Sequence, residues 1–110
     1  MPYRASILYS NEDDTKFDMK YYLSNHMPRV QEGFKSFGLL KWAVTQYEAG
    51  PDGTQPPYVV QTLLVFDNAD QCDKALSSPV GQELIADVVN FSNKSPIILG
   101  GDVVGASTSD

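Results

Sequence analysis

Tyr58-Val59-Val60-Gln61-Thr62-Leu63-Leu64-Val65-Phe66 is the stretch on which the fold turns. Only Gln61 and Thr62 interrupt its β-branched, aliphatic and aromatic residues, and a run this short without helical spacing predicts a central strand covered on both faces. Because strand side chains alternate, Gln61 and Thr62 must point to opposite sides, so only one of them can line a given pocket. Downstream, Asp67 is placed to cap a helix that begins near Ala69 and breaks at Ser77-Ser78-Pro79. The helix resumes behind a serine cap with Pro79 in its favoured first-turn position, and Val80, Leu84, Val88 and Phe91 form its apolar stripe. A last strand is predicted over 95–104 around Ile97, Ile98 and Leu99, interrupted by Gly100-Gly101, and 106–110 reads as a frayed tail beyond a single domain spanning 1–105.

Upstream, 49–57 is a turn-rich loop, and Leu39 to Tyr47 is a second strand. Leu40, Trp42, Val44 and Gln46 are expected on one of its sides, with Leu39, Lys41, Ala43, Thr45 and Tyr47 on the other. The first strand is Tyr3 to Tyr9, with Tyr3, Ala5, Ile7 and Tyr9 alternating with Arg4, Ser6 and Leu8. Between these strands, Thr15-Lys16-Phe17-Asp18 matches a capping box, which predicts a helix from about Phe17. Met19, Tyr22, Leu23, His26, Val30 and Phe34 share its apolar stripe. Pro28 lacks an amide hydrogen and crowds the carbonyl of Ser24, so a kink or restart is expected near His26.

The order is β-α-β-β-α-β, a ferredoxin-like α+β arrangement in which a four-stranded antiparallel sheet carries both helices on one face. Residues 58–66 offer apolar side chains to both faces, so the uncovered face calls for a second subunit, and a homodimer is expected.

The chain of 110 residues suits one core, with 42% hydrophobic and 20% charged residues. A net charge of −6 supplies no basic patch and argues against nucleic acid and anionic membranes as partners. One cysteine, Cys72, and one histidine exclude an internal disulfide and a Cys/His zinc site, so no metal is expected. The cysteine reads as a buried small hydrophobe. The opening Met1-Pro2-Tyr3-Arg4 leads straight into an alternating segment without a long apolar run, and a reducing, cytoplasmic setting is expected. Glycine-rich nucleotide loops, paired carboxylates and a Ser/His/Asp set are not found, and no cofactor is implied.

The chemistry concentrates in Tyr21-Tyr22-Leu23-Ser24-Asn25-His26-Met27-Pro28, where the sole imidazole lies on an inward stripe beside a helix break. His26 is the candidate catalytic residue, since an imidazole near neutrality can give or take a proton; the plainer reading is a core histidine satisfied by a backbone carbonyl. Tyr22, one turn earlier, and Trp42 and Thr62 from the sheet are candidate substrate-binding residues, with Gln61 the alternative to Thr62. Ser24 and Asn25 point away from the stripe.

These features resemble the EthD family, in which an aromatic-rich first helix leads to His-x-Pro and a later strand ends in Phe-Asp, as Phe66-Asp67 does. The resemblance runs from Tyr3 to about Val104. It implies a dimeric α+β barrel, related to small monooxygenases, muconolactone isomerase-like enzymes and polyketide cyclases, with a pocket between helices and sheet. It supplies a fold and a pocket but no reaction. Two functions fit: a cofactor-independent enzyme in which His26 moves a proton on a hydrophobic or aromatic metabolite, or a non-catalytic accessory protein holding such a molecule for an oxidising partner.

Overall fold

The computed structural model describes residues 2–107. Four strands, β1 (Tyr3–Ser10), β2 (Leu39–Gln46), β3 (Tyr58–Phe66) and β4 (Ile97–Asp102), pair antiparallel in the order β2-β3-β1-β4. The apolar run that decides the fold is thus a central strand. Residues 108–110 of the expected tail lie outside the described part, and among the described residues no helix is long and apolar enough to cross a membrane.

Registers sort the two faces. Ala5 pairs Leu64, Ile7 pairs Thr62 and Tyr9 pairs Val60, while Ile98 sits opposite Ile7; these residues face the helices. Leu8 with Gln61, Ser6 with Leu63 and Leu99, and Arg4 with Val65 face the other way. Thr62, buried among core residues, is therefore on the helix side, and Gln61 is not. In β2 the register slips between Leu39 and Lys41, so Leu39 opposite Phe66 and Trp42 opposite Leu64 share the helix face. This corrects the expected place of Leu39 on the side opposite Trp42; the extra residue, Leu40, is 49% exposed and borders the same surface groove as Trp42. The glycines expected to interrupt β4 do not. Gly100 pairs Ala5 and Gly101 pairs Arg4 in unbroken register, and Gly100 is bare because the Tyr3 hydroxyl occupies the space a Cβ would need.

The first helical stretch is one rod in three parts: α1 (Met19–Tyr21), a π turn (Tyr22–His26) and α2 (Met27–Phe34), closed by a 3-10 turn at Lys35–Phe37. Its cap is Asp18, whose carboxylate accepts the Tyr21 amide at 3.1 Å. Thr15 instead accepts the Glu12 amide and donates to the Ser10 carbonyl, so the expected capping box does not form. The expected restart at Pro28 takes the form of the π turn, in which the Met27 amide reaches back five residues to the Tyr22 carbonyl. Pro28 then occupies the first turn of α2, where a missing amide costs little. One extra residue in the turn brings both His26 and Met27 inward and swings Leu23 out to 46% exposure, against its expected place on the stripe.

The second helical stretch is α3 (Ala69–Ser77) and α4 (Pro79–Ala86), followed by a 3-10 turn at Asp87–Asn90. Asn68, rather than Asp67, caps α3 through the Gln71 amide, and Ser78 caps α4 through the Gly81 amide as expected. The core lies between these helices and the sheet, joining Ala5, Tyr9, Tyr22, Val30, Phe34, Val60, Leu64, Leu84 and Phe91.

Candidate active site

The π turn and the 3-10 turn after α4 face each other across the helix layer, and their side chains build the site. His26, 6% exposed, places Nδ1 2.9 Å from Oδ2 of Asp87, also buried. Asp87 Oδ1 accepts from the Tyr21 hydroxyl at 2.7 Å and from Asn90 Nδ2 at 2.9 Å, and Arg29 Nη1 approaches Oδ2 at 3.5 Å. Burial works against ionisation of Asp87. The hydrogen bonds from Asn90, His26 and Tyr21 outweigh it and hold the carboxyl below its usual range. A carboxylate only accepts, so Nδ1 carries the ring proton and Nε2 is left with a lone pair. Burial lowers the His26 pKa below its ordinary value, and Asp87 restores only part of it, so the ring is neutral at pH 7.

Aromatic rings fix the imidazole on its other sides. Tyr22 stacks on it with centroids 5.1 Å apart and planes 14° from parallel, and Phe91 leans against it at 4.7 Å. Phe17 and Tyr9 complete the cage through edge contacts with Tyr22 and Phe91. The loops bearing Phe17 and Phe91 are lashed together: Asp18 N–H donates to the Phe91 carbonyl, Asn93 joins Lys16 to Asp14, and Lys94 meets Glu12 and Asp14 at 2.7 Å. Deeper in, the Tyr22 hydroxyl hydrogen-bonds Thr62 and lies beside that of Tyr9. Burial pushes both phenols above their ordinary pKa, so both stay protonated.

His26, Tyr22 and Thr62 line a common cavity of about 50 Å³, whose remaining wall is almost wholly apolar, from Ile7, Val30 and Leu84 to Ile85 and Ile98 at the half-exposed rim. Trp42 is not in it. Edge strand β2 lies beyond β3, which sets the Trp42 indole under the later half of α2, where Nε1 donates to Gln31 Oε1 at 2.9 Å in a separate surface groove. Sequence reasoning missed Asp87, Tyr21, Asn90 and Tyr9. The available signal was an acid at 87 set three residues after Leu84, within the Leu84–Val88–Phe91 apolar stripe. Cys72 is buried, and burial, reinforced by Asp73, pushes its thiol up to about 11, an inert environment.

The chain is a ferredoxin-like α+β domain, a four-stranded antiparallel sheet with its helices on one face, and a small apolar cavity between the two layers is headed by a buried His–Asp pair. The chain is a member of the EthD family, whose domain matches residues 13–95. An uncharacterized 11.0 kDa protein from the thcB-thcC intergenic region of Rhodococcus erythropolis is 30% identical over 95 residues, covering 83% of this chain and 84% of that one. Among solved structures, an EthD-like protein from Ralstonia eutropha superposes with a TM-score of 0.87 at 24% identity, over 98% of this chain and 96% of its own. SnoaB, a cofactor-independent oxygenase from Streptomyces nogalater, shares the fold at a TM-score of 0.63 and 9% identity, over 98% and 96% of the two chains.

Proposed function

We propose that the protein binds an uncharged, hydrophobic small molecule in the cavity beneath the π turn, and that His26 moves a proton on it without a cofactor. The observation that carries this reading is the 2.9 Å contact between His26 Nδ1 and buried Asp87 at the head of an apolar cavity. Asp87 fixes the tautomer and opposes the positive charge that appears when Nε2 takes a proton, so the neutral ring serves as a base near pH 7. Proton removal next to a carbonyl or from a phenol opens isomerisation, cyclisation and oxygenation alike. The fold shared with SnoaB, described as a cofactor-independent oxygenase, agrees with this class of chemistry.

The test is deuterium wash-in from D2O into the α-C–H positions of a panel of apolar enolisable carbonyl compounds, followed from pH 5 to pH 9. His26→Gln keeps hydrogen-bonding capacity without titrating near neutrality, so wash-in should drop by about a hundredfold or more while binding persists. Equal wash-in and an unchanged pH profile in His26→Gln would remove the catalytic assignment. One observation favours the accessory role instead: Asp87 takes donors from Tyr21, His26 and Asn90 at once, a cluster that also ties the two helical stretches together. Binding without wash-in by the native protein would select that reading.

A further inference from the structure

We propose that the cavity selects its ligand by a hydrogen-bond donor: an uncharged O–H acid of the phenol or enol type, held through its hydroxyl by His26 Nε2, with carboxylates shut out. The proposal rests on the reading of this cavity as a ligand site and specifies what enters it.

Donors and acceptors on the cavity wall set what it can hold. Tyr22, Thr62 and Tyr9 bring three hydroxyls, and the contacts of Tyr22 with Thr62 and Tyr9 use two of their three protons, so this cluster can still donate one hydrogen bond to a ligand oxygen. His26 hydrogen-bonds among the described residues through Nδ1 to Asp87, and this leaves Nε2 as a nitrogen acceptor with no partner of its own, to be met by a ligand proton. That atom is an acceptor. A ligand that complements it must bring a proton, whereas an ether or ester would set oxygen lone pairs against a nitrogen lone pair. The rest of the wall is aliphatic or aromatic, and an apolar body is what it rewards.

Charge excludes the other classes. Among the described residues no lysine or arginine lines the cavity; Arg29, half exposed, turns its guanidinium to the same Asp87 oxygen that His26 bonds. A ligand carboxylate would be buried without a counterion and within reach of the negative field of Asp87. An ammonium finds the lone pair of Nε2, but Asp87 already accepts from Tyr21, Asn90 and His26 and has little capacity to compensate the lost hydration. Size sets the last condition. A cavity of about 50 Å³ is smaller than the roughly 150 Å³ that holds a benzene ring, so Ile85 and Ile98 at the rim must part for a ring to enter.

The experiment uses the native protein and four one-ring probes, phenol, toluene, benzoate and benzylammonium, with binding followed by titration. The 15N signal of the single imidazole is read in parallel. Phenol should bind about tenfold tighter than toluene, the usual value of one hydrogen bond, and should shift the Nε2 resonance; benzoate and benzylammonium should not bind detectably. Toluene matching phenol, phenol binding without moving Nε2, or benzoate or benzylammonium binding as well as phenol would each overturn the donor rule while leaving the cavity as a ligand site. Failure of all four to bind up to their solubility would overturn both.

Discussion

At the scale of single residues, His26 and Asp87 form the buried pair at the head of the cavity, and each is held in one protonation state by its surroundings. Burial lowers the His26 pKa and Asp87 opposes that shift, so removing the carboxylate charge should lower it further. The only histidine gives an unambiguous NMR titration: the native ring should titrate below its ordinary 6.5, and Asp87→Asn should move it lower still. An increase in Asp87→Asn would show that the two side chains do not pair in solution. The same shifts set the acid stability. On acidification the unfolded chain binds a proton at His26 before the native state does, so stability falls as pH drops below about 6.5. A second loss follows below about pH 4, because the native carboxyl of Asp87 stays ionised after its unfolded counterpart has been protonated. Denaturant midpoints measured from pH 8 to pH 3 should show both steps, and His26→Gln should lack the first. The sequence announced His26 through its uniqueness and its place on an apolar stripe. It hid Asp87, because an acid in a stripe becomes informative only when its partner, 61 residues away, is known.

At the scale of elements, the π turn and the corner between α3 and α4 are the joints that matter. Regular α-helical spacing placed Leu23 inside; the π turn widens one turn by a residue and exchanges it for Met27, while His26 keeps its inward place. Nothing in the sequence marks a π turn apart from Pro28 just after it, since the choice between π turn and kink depends on what the helix packs against. The α3–α4 corner is tighter. A Cβ on Gly81 would overlap the carbonyl oxygens of Ala75 and Leu76, which are backbone and cannot rotate away. Gly81→Ala should therefore destabilise by about 3 kcal/mol, at the upper end of overpacking effects, and lower Tm by more than 10 °C or so in thermal unfolding. A neutral result would mean that the corner is looser than its geometry implies. Because α4 leads into Asp87, the same variant should also disturb the His26 titration.

At the scale of the whole molecule, the helices cover one face of the sheet; on the other, Leu8 and Val65 are buried, while Ile97 and Leu99 stand open among polar neighbours. Leu99 is 56% exposed and Ile97 47%, both on edge strand β4. Association of two copies through this face would bury them, and sedimentation at micromolar concentration should give twice the chain mass. Leu99→Asp should shift the protein toward monomer, because a carboxylate would have to be desolvated in the interface. A native protein that sediments as a monomer would remove the dimer from this account.

The strand and helix order, the central place of Tyr58 to Phe66, the Ser78 cap and the inward position of His26 were all determined by the sequence alone, because each follows from local periodicity or capping chemistry. The tertiary structure decided the rest. Thr62 rather than Gln61 faces the cavity because β3 pairs in one register with β1, and Trp42 is excluded because β2 lies at the sheet edge. Asp87 reaches His26 only because a π turn and a 3-10 turn are packed face to face. Register, bulges and contacts between distant turns depend on residues far apart in the chain, and a pattern read along one segment carries no record of them.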